Sequence, residues 1–358
     1  MKILLVNFSE CPENLHFEQA FIRALRGVKS VSLDIVHDFQ FHYSFIDKLP
    51  PPGGRRAGYS SMAGMKRDLR GSYDILAVLD FPKRKACAAP FLGLLKNLSC
   101  SKRIFIANHL VPMPGHNPTA DIAGKLGLLS VLDLAFVFEF DDRARWNGLG
   151  LRDDRIQERG YAVDCRYYTP AKRSEAVLRP FPVRNSVFSA GSAGRDFSGL
   201  AQAVKNAGLT LNIFSDAASP PFPSDLRASV SMLPLAKNLH NLRQAVREAA
   251  AVVVPIADGY LNEAAGNSIA FIAMACGRPV IIRKTPYLRR FIKDGKNGFF
   301  YETLSVPELS RQLDRALSLD LPGARRLAVA ARAAVLKKAS LDAFAARLAR
   351  ECFRRGGP

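Results

Sequence analysis

The residues with the most evident capacity for chemistry lie at 251–301. A buried apolar strand ends at Pro255, and a loop follows through Gly266. Asn267-Ser268 then opens an apolar helix that closes at Cys276-Gly277, before Pro279 begins another strand. In open α/β sheets, ligands bind where the carboxyl end of a strand feeds a helix N-terminus. The amides of Asn267, Ser268 and Ile269, with the helix dipole behind them, suit a phosphate. Gly266 lets backbone approach closely. The same residues also describe a Ser/Asn-capped packing helix with no ligand, and residue types alone leave both readings open.

Other candidates are scattered. Asp80 ends an apolar strand and precedes Phe81-Pro82-Lys83-Arg84-Lys85, where it could touch an acceptor hydroxyl or serve as a cap or turn residue. Residues 50–71 hold Pro50-Pro51-Pro52-Gly53-Gly54-Arg55-Arg56, then Lys66-Arg67 and Arg70. This reads as a mobile basic loop, with Arg55 and Arg56 as acceptor-side candidates, or as a solvated loop. His116 sits in a turn-rich Pro114-Gly115-His116-Asn117-Pro118 loop. No Ser-His-Asp order, HExxH, GxxxxGK[ST], kinase set or GxGxxG after the first strand is present. These absences argue against the corresponding hydrolase, zincin, P-loop and dehydrogenase classes.

The elements that must position these residues alternate. Short apolar runs are expected as strands at 2–7, 31–36, 75–79, 103–107 and 134–138, with helices at 17–25, 89–98 and 122–132 between them. The pattern repeats with strands at 186–190, 209–214, 228–232, 251–255 and 279–282. Helices are expected there at 198–206, 240–250, 268–276 and 287–293. Alternation of this kind predicts parallel α/β sheets covered on both faces. A Pro-rich linker near 169–183 divides the chain into an N-terminal Rossmann-like domain at 1–170 and a second at 171–322. A basic tail at 323–358 is expected to be helical and to pack back towards the first domain. In it, Leu336, Phe344, Leu348 and Phe353 are placed facing a core.

The 358 residues carry 51 Lys+Arg against 32 Asp+Glu, a net charge of +19. Residues 1–170 contribute +5 and 171–358 contribute +14. Such a field favours phosphorylated ligands or anionic lipid. The charge is dispersed through helices without interleaved aromatics, which argues against direct nucleic-acid binding. The six cysteines form no CxxC pair and no metal-ligand spacing. A reducing cytoplasmic location is therefore expected, with no spanning helix and any membrane contact peripheral.

Several segments stand in order along residues 155–301: Gly160-Tyr161-Ala162-Val163-Asp164 through Thr169-Pro170, Gly194-Arg195-Asp196 with Leu200-Ala201-Gln202-Ala203, and Glu263-Ala264-Ala265-Gly266. Ala273-Met274-Ala275-Cys276-Gly277-Arg278-Pro279-Val280-Ile281 and Asp294-Gly295-Lys296-Asn297-Gly298 complete the set. In this combination and order they resemble the retaining GT-B glycosyltransferases of the "group 1", family-4-like set. The resemblance implies two Rossmann-like domains in a GT-B arrangement with an interdomain cleft. It implies transfer of a sugar, with retention, from a nucleotide-diphospho-sugar to an acceptor hydroxyl, in cell-surface glycan synthesis. The partners would be the nucleotide sugar, a glycan or lipid-linked acceptor and an anionic membrane. No cofactor or metal is expected, because a basic side chain neutralises the diphosphate.

Residue by residue, Arg195 takes the family's phosphate-binding Lys position, and its fork geometry suits a diphosphate; a surface ion pair with Asp196 is the plainer alternative. Gly266, Asn267 and Ser268 are further donor-site candidates. The resemblance places Glu263 and His109 near the transferred sugar as the catalytic candidates. Two family positions differ. The first phosphate-binding arginine falls near Ser192, and the ribose-binding glutamate falls at Ile272. These departures keep open a non-catalytic binding protein on the same scaffold, with a sugar-nucleotide epimerase as a further alternative.

Overall fold

The computed structural model describes residues 1–7, 12–37, 49–58, 72–81, 93, 95–107, 127–139, 143–171, 185–192, 194–216, 222–227, 229–234, 239–260 and 264–354. They form two compact units: Met1–Gly160 with Leu341–Pro358, and Tyr161–Ser340.

The first unit holds a seven-stranded sheet in the order β3-β2-β1-β4-β5-β6-β7. Its strands are β1 (Lys2–Asn7), β2 (Ser32–His37), β3 (Arg56–Gly58), β4 (Tyr73–Leu79), β5 (Cys100–Ile106), β6 (Leu134–Phe138) and β7 (Ile156–Arg159). Every pairing is parallel. Strands β1, β2, β4 and β6 are almost wholly buried, as both-face coverage requires. Helix α1 (Pro12–Leu25) and the short α2 (Arg143–Gly148) belong to this unit. Trp146 of α2 closes a cluster with Phe81 and Phe105.

The second unit holds a six-stranded parallel sheet in the order β10-β9-β8-β11-β12-β13. These strands are β8 (Ser186–Ala190), β9 (Thr210–Phe214), β10 (Val230–Leu233), β11 (Ala251–Val254), β12 (Val280–Arg283) and β13 (Phe299–Tyr301). Its helices are α3 (Phe197–Asn206), α4 (Ser224–Arg227), α5 (Leu239–Glu248), α6 (Asn267–Ala275), α7 (Val306–Leu317) and α8 (Leu321–Lys338). The side chain of Asp196 caps α3 by accepting from the Ser198 amide, and Ser305 and Asp320 cap α7 and α8 in the same way. The last helix, α9 (Leu341–Phe353), belongs to the first unit. There it packs on α1 through Phe17 and Phe344, 5.9 Å between centroids, and through an Arg23–Asp342 ion pair at 2.6 Å.

Three expectations change against this architecture. The contact division falls at Gly160/Tyr161 rather than at 170/171. Residues 161–170 are tied into the second unit: Arg247 donates to the Thr169 carbonyl at 2.7 Å, and Arg332 to those of Cys165 and Tyr168 at 3.1 Å. The basic tail is two helices, α8 in the second unit and α9 in the first. Phe344 and Leu348 are buried in it, but Leu336 and Phe353 are exposed. The helix expected at 287–293 is only a 3₁₀ turn, Leu288–Arg290. Asn297 stops it by accepting from the Lys293 amide at 2.6 Å and donating to the Phe291 carbonyl at 3.0 Å. Of the helices expected at 89–98 and 122–132, residues 89–92, 94 and 122–126 lie outside the described residues, and Leu128–Val131 is a 3₁₀ turn.

Candidate functional site

In the second sheet the chain leaves β8 in one direction, through β9 and β10, and returns on the other side as β11. The carboxyl ends of β8 and β11 are therefore the switch point of a doubly wound sheet, where side elements diverge and a ligand crevice forms. Arg195 stands there. It forms an isolated antiparallel bridge with Ile256. On either side of it, the Ala257 amide donates to the Gly194 carbonyl at 2.9 Å and the Asp196 amide to the Pro255 carbonyl at 3.0 Å.

The local sequence explains the position of the guanidinium. Arg195 Nε donates to the Ala190 carbonyl at 3.2 Å. A Cβ on Gly191, at φ +110°, would lie 2.6 Å from Arg195 Nη2. Glycine is thus what allows the guanidinium to lie across the end of β8. Gly194, at φ +62°, is covered by the Tyr260 ring in the same manner. Burial pulls the Arg195 pKa down to about 10, partly opposed by Tyr301 and Tyr260. At neutral pH the side chain keeps its charge and its poorly solvated position favours an anionic partner.

The loop after β11 is pinned from several directions. The Ile256 amide donates to Tyr301 Oη at 2.6 Å, and Tyr301 Oη donates to the Val254 carbonyl at 2.9 Å. Burial pushes the Tyr301 phenol up, so it stays protonated as that relay requires. Arg283 at the end of β12 donates to the carbonyls of Ala257 and Tyr260 at 3.2 and 2.6 Å. Ser192, the residue near the missing family arginine, is exposed. Its hydroxyl accepts from the Asp216 amide at 2.9 Å and lies 3.3 Å from Ser215 Oγ, at the end of β9.

Helix α6 runs from Gly266 into the core, buried at every residue except Ser268. A Cβ at Gly266, whose φ is +86°, would lie 2.4 Å from Val254 Cγ1. Glycine therefore brings the helix N-terminus directly against β11. One expectation is corrected here: the Asn267 amide does not face outward. It donates to the Ala264 carbonyl at 3.2 Å in the turn that opens the helix, and Asn267 is fully buried. Ser268 is the helix residue at this end that reaches the surface. Ile272 is buried among the apolar residues of α6.

The first sheet has its own switch point, between β1 and β4. Asp80, in a left-handed conformation at φ +60°, accepts from Asn14 Nδ2 at 3.0 Å. Asn14 Nδ2 also donates to Asn7 Oδ1 at 3.1 Å, and Asn7 Nδ2 to Glu18 Oε1 at 2.8 Å. Glu18 lies 3.3 Å from His37 Nδ1 and 3.5 Å from Arg56 Nη2. Arg56, expected in a solvated acceptor-side loop, instead opens β3 and joins this buried chain, because Glu18 is a carboxylate with no access to water. Arg55 is exposed, with its backbone amide on Asp34 Oδ1 at 3.0 Å.

The structure therefore brings Ser192, Arg195, Gly266 and Ser268 to one edge of the second sheet, and Asp80 and Arg56 to the matching edge of the first. His109, Glu263 and His116 lie outside the described residues. Sequence reasoning passed over Gly191, Tyr260, Arg283 and Tyr301, and the Asn7–Asn14–Glu18–His37 chain. Asn14 and Glu18, four apart and so on one face of α1, are a readable sign of the last; a buried tyrosine gives none. Among the described residues no group of three or more His, Cys, Asp or Glu side chains is placed to hold a metal ion. No helix among them is long and apolar enough to cross a membrane.

Residues 225–334 match the family described as "Glycosyl transferases group 1". Among solved structures, a sucrose-phosphate synthase from Thermosynechococcus elongatus superposes with a TM-score of 0.67 at 15% identity, covering 99% of each chain. A glycosyltransferase from Rickettsia africae gives 0.66 at 14% identity, again over 99% of each chain. HepE from Anabaena, in complex with UDP-glucose, gives 0.65 at 12% identity over 98% of this chain and 99% of its own. Among curated proteins no sequence relative is found. The chain carries a group 1 glycosyl transferase segment at 225–334 within the GT-B glycosyltransferase fold.

Proposed function

We propose that this protein transfers a sugar from a nucleotide-diphospho-sugar to the hydroxyl of a glycan or lipid-linked acceptor, with retention at the anomeric carbon. The observation that carries the reading is Arg195, fixed at the β8/β11 switch point beside the N-terminus of α6. A guanidinium, Ser268 and a helix N-terminus at such an edge are suited to the charge that develops on a departing diphosphate. In this reading Arg195 neutralises the leaving group without a metal, and Ser192 and Ser268 supply hydroxyls to the donor. Glu263 and His109 contact the sugar, and Arg55 and Asp80 face the acceptor. The group 1 segment and the fold shared with HepE, whose complexes hold UDP and UDP-glucose, support the donor class. The strong positive charge supports a peripheral position on an anionic membrane, and the family resemblance suggests a role in cell-surface glycan synthesis.

The test is product analysis. The protein is incubated with UDP-, GDP- and ADP-sugars and a mixture of glycan and lipid-linked acceptors. Released nucleoside diphosphate and the anomeric coupling of the product are read by NMR. Release with one donor, an α-product from an α-donor and loss of both in Arg195→Met are expected. Inversion refutes retention, and release that survives Arg195→Met refutes the role of Arg195. A second reading, a binding protein with a decayed donor site, is favoured by Ile272, where the resembling family has a ribose-binding glutamate. It predicts a folded protein that no nucleotide stabilises and that turns over no donor.

A further inference from the structure

We propose that the exposed face of α8 docks the protein on an anionic lipid surface. The proposal rests on the peripheral-membrane part of the reading above and names the surface that makes the contact. Helix α8 buries Ala324, Leu327, Ala331 and Val335 along one face. At ~100° per residue, the opposite side is an apolar stripe of Pro322, Val329, Ala333 and Leu336. Arg325 borders it on one side, and Arg326 and Lys337 on the other. All seven of these residues are exposed. The helix carries five basic residues and no acidic one. Among the described residues seven large apolar side chains stand exposed, and four of them, Leu317, Leu321, Val329 and Leu336, fall within this short stretch. Val329, at 71%, is the most exposed of all.

An apolar stripe flanked on both sides by Lys and Arg is the arrangement of a helix lying in a bilayer interface. The apolar side chains enter the headgroup boundary while the basic ones reach outward to anionic headgroups. A lipid surface fits better than an acidic protein partner. The face is the convex side of a single helix, and its charge is of one sign along the full length. The +12 carried by residues 161–340 adds long-range attraction to the same unit. Lys338 is not part of the contact, since its ammonium donates to the Arg290 carbonyl.

The experiment is co-sedimentation of the full chain, without nucleotide, on vesicles of phosphatidylcholine alone or with about one-third phosphatidylglycerol. Binding to the anionic vesicles only, weakened by salt, is expected. At about five-fold per basic residue, the triple variant Arg325→Gln/Arg326→Gln/Lys337→Gln should weaken binding about a hundred-fold. Val329→Gln/Leu336→Gln should weaken it about ten-fold or more. Both variants alter exposed positions, and unchanged melting verifies their folds. No binding to anionic vesicles, or binding that both variants leave unaltered, would overturn the proposal. So would self-association without vesicles that the apolar variant removes while vesicle binding persists. Nucleotide-induced stabilisation measured on the same variants should be unchanged, which separates failure of this contact from failure of the donor-site reading.

Discussion

Replacing Gly266 by alanine tests whether α6 is brought against the sheet as described. Two terms oppose the substitution. A left-handed backbone costs an alanine ~1–2 kcal/mol, offset by ~0.4–1 kcal/mol from the stiffer unfolded chain. The new methyl, 2.4 Å from Val254 Cγ1, must also push apart α6 and β11, an overpacking cost of ~1–3 kcal/mol. The sum is about 1–5 kcal/mol, a large part of the ~5–15 kcal/mol that holds a domain folded. Gly208 gives the internal control. It lies in the same unit at φ +67°, and a methyl added there would meet nothing within 4 Å, so Gly208→Ala carries the backbone term alone. Urea unfolding followed by a probe in the second unit measures both. Gly266→Ala should lose ~1–3 kcal/mol more than Gly208→Ala. Equal losses would refute the close approach and, with it, the placing of the helix N-terminus at the switch point.

Three further outcomes follow from the geometry. Tyr301→Phe leaves the Ile256 amide and the Val254 carbonyl without the phenol, so unfolding should show a loss of ~1–3 kcal/mol; a loss below about 0.5 kcal/mol contradicts the relay. Glu18→Leu removes the buried carboxylate that faces His37 and Arg56 in the first unit and should cost ~3–5 kcal/mol in denaturant unfolding, with a neutral result contradicting the buried pair. Burial pushes the thiols of Cys276 and Cys352 up to about 12, well above neutral pH. Iodoacetamide at pH 8 should label them only on unfolding of the second and first units respectively, read by peptide mass spectrometry; rapid labelling in the native protein contradicts their burial.

The sequence was most legible where a strand is apolar on both faces. Strands β1, β6 and β8 coincide with their expected ranges, because short, largely apolar runs suit a parallel sheet covered on both faces. Strands β3, β7 and β13 escaped notice. They are three or four residues long, and β3 and β7 begin or end in arginines whose burial depends on distant partners, Glu18 for Arg56 and the Ala107 carbonyl for Arg159. At the site, Gly194-Arg195 and Gly266 were legible because a glycine beside a basic residue or ahead of a helix constrains backbone locally. The Asn267 amide was misread, because its partner, Ala264, is set by a turn that residue types do not announce. Leu336 was assigned to a core on composition, whereas α8 turns its other face inward.

The central claim is that Arg195 receives the diphosphate of a nucleotide sugar. Its most direct test is thermal stability of the wild-type protein and of Arg195→Met against UDP, GDP, ADP and their sugars. The folded Arg195 pKa, about 10, lies below the unfolded value of 12.5. Its charged form is therefore penalised in the folded state, fully so below pH 10, and the penalty is relieved as pH rises from 10 towards 12.5. Without ligand, Arg195→Met should thus be as stable as the wild type or more so at pH 7. A nucleotide at ~100 times its dissociation constant should add ~2.7 kcal/mol to the wild type and nothing to the variant. That pairing, a stable variant that has lost its ligand response, is the predicted result. A response to nucleotide that Arg195→Met retains in full would contradict the account.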